Sequence, residues 1–363
     1  MSDPDTTPLE SHLRRLIATE GPIPLSRYMA EVLQHPVHGY YRKGDPLGTR
    51  GDFVTAPEIS QMFGELIGLW LADRWDAMGR PAPVHLVELG PGRGSLMADA
   101  RRAMAVVPGL KQALRLHLVE SNASLRALQA RQLDAHWHDR VETLPDGPLL
   151  LVANEFFDAL PIRQFARQDG EWHERLVTVA DGRLTFTTGA AGPDVALIAP
   201  ALGAVADGAI VEVCPEGVAL MTDIARRVAT HGGAALVIDY GYTRHAPGDS
   251  LQAVRRHQPV DVFHRPGECD LTAHVNFAAL AAAAHAAGAA TAGPVTQGDF
   301  LAALGIRVRA AMLARRANPR QRRDIDAALR RLVAPDMMGH LFKVLAVTGN
   351  EGPVAGIGEA RHG

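Results

Sequence analysis

Cysteine is nearly absent: Cys214 and Cys269 are the only two in 363 residues, 55 positions apart. No CxxC pair exists, which excludes thiolate zinc sites, iron–sulfur clusters and thioredoxin chemistry. A chain so poor in cysteine suits a reducing compartment. Among the 16 histidines no H-x-x-x-H or H-E-x-x-H spacing occurs, so metal binding finds no support. Positive charge is not in excess: 37 Lys and Arg stand against 40 Asp and Glu, a net charge of −3. A dedicated nucleic-acid binder is usually strongly basic, so nucleic acid is not the expected partner. No apolar run has membrane length; 277–293 is mostly alanine and carries His285, so membrane insertion is not expected. The N-terminus, MSDPDTTPLE, lacks the basic and apolar regions of a secretory leader. No repeat of fixed period is visible. The expectation from these absences is a cytoplasmic protein.

What is present is an ordinary globular composition, 47% hydrophobic and 21% charged, able to bury a sizeable core. The length suggests about two domains, or one with large insertions. Helical spacing predicts helices over 9–17 and 25–33, followed by a long Gly-, Pro- and aromatic-rich loop over 35–52. In TAPEISQMFGELIGLWLADRWDAMG, Thr55 and Glu58 form a T-x-x-E capping box with Pro57 in the first turn. Its stripe of Ile59, Met62, Phe63, Leu66, Trp70 and Trp75 reads as core packing. A dimer face is the second reading, so a homodimer stays open.

From Val84 the pattern alternates. Strands are expected at 84–89, 114–120, 137–141, 149–154, 209–213, 234–240 and 341–347. Helices are expected at 95–106, 123–133, 217–231, 275–287 and near 299–304, and a basic helical region over 307–332. This rhythm predicts a parallel α/β sheet, doubly wound and Rossmann-like. Asp169-Gly170 and Asp181-Gly182 are hairpin signals inside a polar, β-rich stretch. The division expected is a helical N-terminal extension (1–80), a first core half (81–162), a β-rich insertion (163–208), a second core half with helical additions (209–350) and a tail (351–363).

The informative stretch is Glu88-Leu89-Gly90-Pro91-Gly92-Arg93-Gly94, where a strand ends, glycines turn and a helix begins. Glycine permits positive φ and close backbone approach to a ligand. The spacing is G-x-G-x-G, and Ser95 stands where a G-x-G-x-x-G fingerprint places its last glycine, which disfavours a dinucleotide. Glu120 ends the next strand, where an acid can accept from both ribose hydroxyls of a nucleoside. Glu88 suits a cationic tail better than a phosphate. E-x-G-x-G-x-G with a downstream strand-end Glu resembles the S-adenosylmethionine site of class I methyltransferases. The plain alternative is a glycine turn that only packs helix on strand.

Longer phrases narrow the resemblance. GDFVTAPEISQMFGE (51–65), NEFFDALPIRQF (154–165), SLQAV (250–254), DLTAHVNF (270–277) and MGHLFKVLAV (338–347) resemble the MidA-like methyltransferases, a family that includes the mitochondrial arginine methyltransferase acting in complex I assembly. The resemblance runs from about Leu9 to Val347. It implies a class I methyltransferase fold with an N-terminal addition and an inserted subdomain, S-adenosyl-L-methionine as cofactor, and a protein substrate, an arginine on a complex I subunit. One position departs from the family: Asn276 stands where DLTAHV is usually followed by aspartate, so a role needing negative charge there is in doubt.

Arginine poses a chemical demand, since its guanidinium stays protonated near neutrality and carboxylates must hold it. Glu155 is the first candidate, Asp158 the second, and Asn154 can bridge cofactor and substrate. The spacing of the usual arginine methyltransferases, two glutamates on a longer loop, is absent. NEFF is also similar, without its prolines, to the Asn-Pro-Pro-aromatic loop of amino-group methyltransferases. The cofactor set is Glu88, Gly90, Pro91, Gly92, Gly94, Glu120 and Asn154. The family phrase adds Asp52, Thr55 and Pro57, although capping alone accounts for Thr55. His274 and His340 are weighed as acid–base groups and read as structural. The arginines at 307, 309, 315, 316, 320, 322, 323, 330 and 331 read as a solvated face before a partner surface. Three rival readings stay open: methylation of a small molecule or another side chain, a non-catalytic assembly chaperone that binds the cofactor, and a nicotinamide-dependent dehydrogenase.

Overall fold

The computed structural model describes residues 6–42, 55–198, 202 and 205–358. The chain divides into two compact units, each built from three stretches of sequence. This differs from the consecutive division expected at 80, 162 and 208.

One unit comprises Val54–Phe157, Leu220–Thr243 and Phe277–Gly363. Its sheet holds β1 (Val84–Leu89), β2 (Leu114–Val119), β3 (His136–His138), β4 (Leu149–Asn154), β5 (Gly233–Tyr242), β6 (Ala290–Thr296) and β7 (Phe342–Thr348). The order is β3-β2-β1-β4-β5-β7-β6. The first five run parallel, and β7 lies antiparallel between β5 and β6. All six residues of β4, LLLVAN, are buried, as expected of a central parallel strand covered on both faces. The doubly wound α/β class is as the sequence implies. β6 was not expected: Gly293-Pro294 interrupts it, and its register against β7 shifts between Ala292 and Val295. Proline is tolerated there because the strand is at an edge and irregular.

The long helix expected from Thr55 is two helices. The first, α1 (Ala56–Ile59), stops at extended Ser60, whose side chain accepts from Met62 N at 3.2 Å and caps α2 (Gln61–Ala77). The Thr55–Glu58 capping box does not form, since the Thr55 side chain makes no capping hydrogen bond. Glu58 instead lies 3.7 Å from Arg93. Met62, Phe63, Leu66 and Trp70 of α2 are buried in the core of this unit with β1 and with α3 (Ser95–Met104).

A file of imidazoles crosses the first three strands. His85 Nδ1 meets His117 Nε2 at 3.0 Å, and His117 Nδ1 meets His138 Nε2 at 2.9 Å. His138 Nδ1 then meets Thr143 Oγ1 at 2.9 Å, while His136 stacks on His117.

The other unit comprises Met1–Phe53, Asp158–Ala219 and Arg244–Asn276. Helices Pro8–Glu20 and Leu25–Gln34 share its core with Val177, Leu184 and Leu271. Its larger sheet is antiparallel, formed by Ile23–Pro24, Arg163–Gln168, Glu171–Ala180, Arg183–Ala190 and Ile210–Val213. Both expected hairpins are present: Asp169 and Gly170 have φ of 49° and 75°, Asp181 and Gly182 of 49° and 71°, the paired positive values of a two-residue turn. The strand expected to resume the α/β rhythm at 209–213 belongs to this antiparallel sheet, paired with Arg163–Ala166. A short apolar run reports burial and leaves its pairing partner open.

Candidate active site

The glycine turn leaves the carboxyl end of β1 with φ of 59°, 52° and 81° at Gly90, Gly92 and Gly94. Gly90 N donates to Val119 O at 3.0 Å, and Gly94 N to Pro91 O at 2.7 Å. A Cβ at Gly90 would lie 2.8 Å from the Phe156 ring, so the first glycine answers both the backbone angle and the contact. Two glutamines fasten the turn from the segment after β2. Gln129, on α4 (Ala123–Gln129) and 0% exposed, donates to Gly92 O at 2.7 Å and accepts from Trp137 Nε1 at 2.7 Å. Gln132 donates to Arg93 O at 2.7 Å. Sequence reasoning missed both glutamines.

Glu88, on β1, is 3% exposed, and its Oε2 has no hydrogen-bond partner among the described residues. Burial pushes its carboxyl up to about 8. Asn154 closes β4, the neighbouring strand, and its Oδ1 is likewise buried and unpartnered. Buried acceptors are rarely left unsatisfied, so the pair asks for a donor-rich ligand such as an ammonium. Glu120, just beyond β2, accepts from Asn122 N at 2.7 Å. Burial raises its carboxyl too, opposed by that N–H and by nearby Arg126.

The Asn154–Phe157 turn follows β4. Glu155 has φ of 51°, a left-handed conformation uncommon for a glutamate. Its Oε1 accepts from Asn154 Nδ2 at 3.1 Å and from Ala56 N at 3.0 Å, which brings the start of α1 to the turn. Thr55 precedes that helix, its carbonyl accepting from Glu58 and Ile59 N–H, and Pro57 occupies the first turn. Asp239 on β5 accepts from Phe156 N and Phe157 N at 3.1 and 3.0 Å; sequence reasoning missed it as well.

Glu88, Gly90, Pro91, Gly92, Gly94, Glu120, Asn154, Glu155, Thr55 and Pro57 thus all belong to one unit, and most stand at or just beyond the carboxyl ends of its strands, where open α/β sheets bind ligands. Asp158 falls in the other unit, where it is buried and its carbonyl accepts from Ala273 N at 3.0 Å. Asp52 lies outside the described residues. His274 also falls in the second unit, its backbone N–H donating to Ser250 Oγ, and His340 is exposed. Asn276 meets His245 Nδ1 through Nδ2 at 3.1 Å, a hydrogen bond that needs no negative charge.

One group among the described residues, His12, Glu31 and His35, brings nitrogen and oxygen atoms within 4.8 Å of one another. His35 Nδ1 accepts from the N–H of Val37 and His38 at 3.2 and 3.1 Å. That leaves the neutral ring's proton on Nε2 and denies a cation its lone pair. Among the described residues, no helix is long and apolar enough to cross a membrane.

The family model described as "Putative S-adenosyl-L-methionine-dependent methyltransferase" matches residues 66–295. "Protein arginine methyltransferase NDUFAF7, mitochondrial" of Xenopus laevis is 36% identical over 373 residues, covering 93% of this chain and 84% of that protein. The protein of the same name from Homo sapiens is 35% identical, with 94% and 83% covered. A solved structure from Burkholderia thailandensis, a "likely methyl transferase" bound to S-adenosyl-homocysteine, superposes with a TM-score of 0.84 at 31% identity, covering 99% of this chain and 98% of that one. The expectation of a cytoplasmic protein is overturned, because the relatives are named as mitochondrial. Few cysteines report a reducing environment, and that does not name a compartment. Matched over more than half its length and carrying the same fold, the chain belongs to the S-adenosyl-L-methionine-dependent methyltransferase family.

Proposed function

We propose that this protein methylates an arginine side chain of a protein substrate, and that the substrate is a subunit of respiratory complex I. The names of the curated relatives support arginine as the target. The family resemblance of the sequence supports complex I. The observation that carries most weight is the Asn154–Phe156 turn at the end of β4, where the anchored Glu155 carboxylate precedes the Phe156 ring that lies against Gly90.

S-adenosyl-L-methionine supplies an electrophilic methyl group. In this reading Glu88 and Asn154 would accept from its ammonium, and Glu120 would accept from its ribose hydroxyls. The glycines let backbone approach it closely. Glu155 pairs with the substrate guanidinium and turns one nitrogen toward the methyl. A guanidinium nitrogen attacks only as its proton leaves, and a carboxylate at the site favours that departure. Holding nucleophile and donor in line in a water-poor site supplies the rest of the rate.

The test is transfer of labelled methyl from the cofactor into isolated complex I subunits, with mass spectrometry locating the label. Glu155→Gln should lower transfer by about a hundredfold or more while cofactor binding is kept. Label on a small molecule or on another side chain would overturn the arginine reading. Full biological activity of the Glu155→Gln protein would favour a non-catalytic chaperone.

A further inference from the structure

Glu155 is the strained residue of its turn, and its own side-chain bonds do not explain why the backbone stays left-handed. A non-glycine residue at φ of 51° persists where its surroundings over-determine it. Those surroundings come from β5. Ile238 O accepts from Glu155 N at 2.9 Å. The next residue, Asp239, is 0% exposed and spends one carboxylate oxygen on the two following amides, Phe156 N and Phe157 N. Its other oxygen accepts from Tyr240 N at 2.9 Å, which ties the carboxylate to its own strand. Three backbone N–H groups on one buried carboxylate make a rigid clamp, because hydrogen bonds to an ionised group are stronger than those between neutral groups. With the peptides after Glu155 held, its φ and the direction of its side chain are set, and the Phe156 ring is seated on Gly90.

We infer that Asp239 is the positioning residue of the methyl-transfer site: it holds the Asn154–Phe157 turn so that Glu155 faces the substrate. This rests on the function proposed above and adds to it the group that orients its carboxylate. Asp239 acts through backbone amides of that turn.

Asp239→Asn tests it. One amide oxygen serves either the Phe156–Phe157 pair or Tyr240, and the new NH2 group then faces the N–H of the other. The expected result is a fall in kcat of about a hundredfold, the loss typical of a slightly misplaced catalytic group. Cofactor affinity should fall much less than kcat in a calorimetric titration, because Glu88 and Glu120 lie outside the turn and Asn154 alone of the cofactor-holding side chains belongs to it. Amide exchange at Phe156 and Phe157 should accelerate while the β4 amides stay protected. An unchanged kcat, or equal losses in kcat and cofactor affinity, would overturn the inference. If Asp239→Asn does not fold, exchange in the wild-type protein decides: Phe156 and Phe157 amides as fast as exposed loop amides refute the clamp, and protected ones support it. Exchange needs no substrate. A wild-type protein that shows the protection and methylates no protein would sink the proposed function and leave the clamp standing.

Discussion

Glu88→Gln separates what the fold pays from what the cofactor gains. In the free protein the Glu88 carboxyl sits at about 8, because burial disfavours its charged form; among the described residues its Oε2 meets no donor. At pH 7 it is therefore mostly protonated. A bound ammonium supplies donor and opposite charge together, so the carboxyl ionises and a proton leaves as the ligand enters. Below pH 8, the affinity should rise by up to about tenfold per pH unit, because binding must expel that proton. The ligand's own α-amino group titrates near ~8, so affinity stops rising there. The measurement is titration calorimetry with S-adenosyl-L-methionine at pH 7 in two buffers of different ionisation enthalpy. The buffer dependence of the heat counts protons released. The wild type should release close to one, and Glu88→Gln none from this position. Loss of one charged hydrogen bond, about 1.5–3 kcal/mol, should weaken the variant's binding by ten- to a hundredfold.

The same residue has the opposite effect on the free protein. The folded value lies above the unfolded one of about 4.5, so between these pH values the native state holds the extra proton. Stability is then full below pH 4.5 and declines as pH rises toward 8, by at most about 5 kcal/mol over the window. Glu88→Gln should remove this decline and melt higher than the wild type at pH 8, while binding the cofactor less well. Equal proton release by both proteins, or a variant less stable at pH 8, would refute the reasoning.

Gly90→Ala should cost about 1–2 kcal/mol, from a side chain at φ of 59° and a Cβ 2.8 Å from the Phe156 ring, and should abolish cofactor binding; denaturant melts and calorimetry report the two losses separately. His117 is pushed down to about 4 by burial and by neighbouring His85, His138 and His136. The unfolded state binds the extra proton between pH 6.5 and 4, so stability should fall as pH drops through that window, by at most about 3 kcal/mol. His117→Gln should flatten that part of a series of urea melts from pH 7 to 4, and an unchanged acid slope would remove His117 as its source.

Which elements could be read from the sequence follows from how locally each is determined. LLLVAN announces β4 because a strand buried on both faces must be continuously apolar. The hairpins at Asp169-Gly170 and Asp181-Gly182 declare themselves because their turn needs paired positive φ. Ile210–Val213 has the same apolar look as β4, yet its ladder is antiparallel, with Arg163–Ala166. Partner choice is a long-range matter that five letters do not encode. The edge strand β6 hides behind Gly293-Pro294, which in sequence reads as a turn.

The site divides in the same way. The places of Glu88, the glycines and Glu120 are legible because a strand end followed by a glycine turn, and the end of the next strand, recur at fixed spacings. Asp239 and Gln129 are not, because each acts on the backbone of a distant turn. Asp239 holds amides 83 and 82 positions away, and Gln129 a carbonyl 37 positions away. A backbone acceptor or donor leaves no mark in the residue that carries it: Phe156 and Phe157 would offer the same N–H whatever their side chains. The Thr55–Glu58 spacing misleads for a related reason. The Glu155 carboxylate, 99 positions away, takes the Ala56 N–H, and Ser60 caps the longer helix. The Glu58 N–H that such a box would use goes to the Thr55 carbonyl, and the helix start is tied instead to the turn that bears the proposed catalytic group. That substitution places the start of α1 under the control of Glu155, so motion of one should be felt by the other.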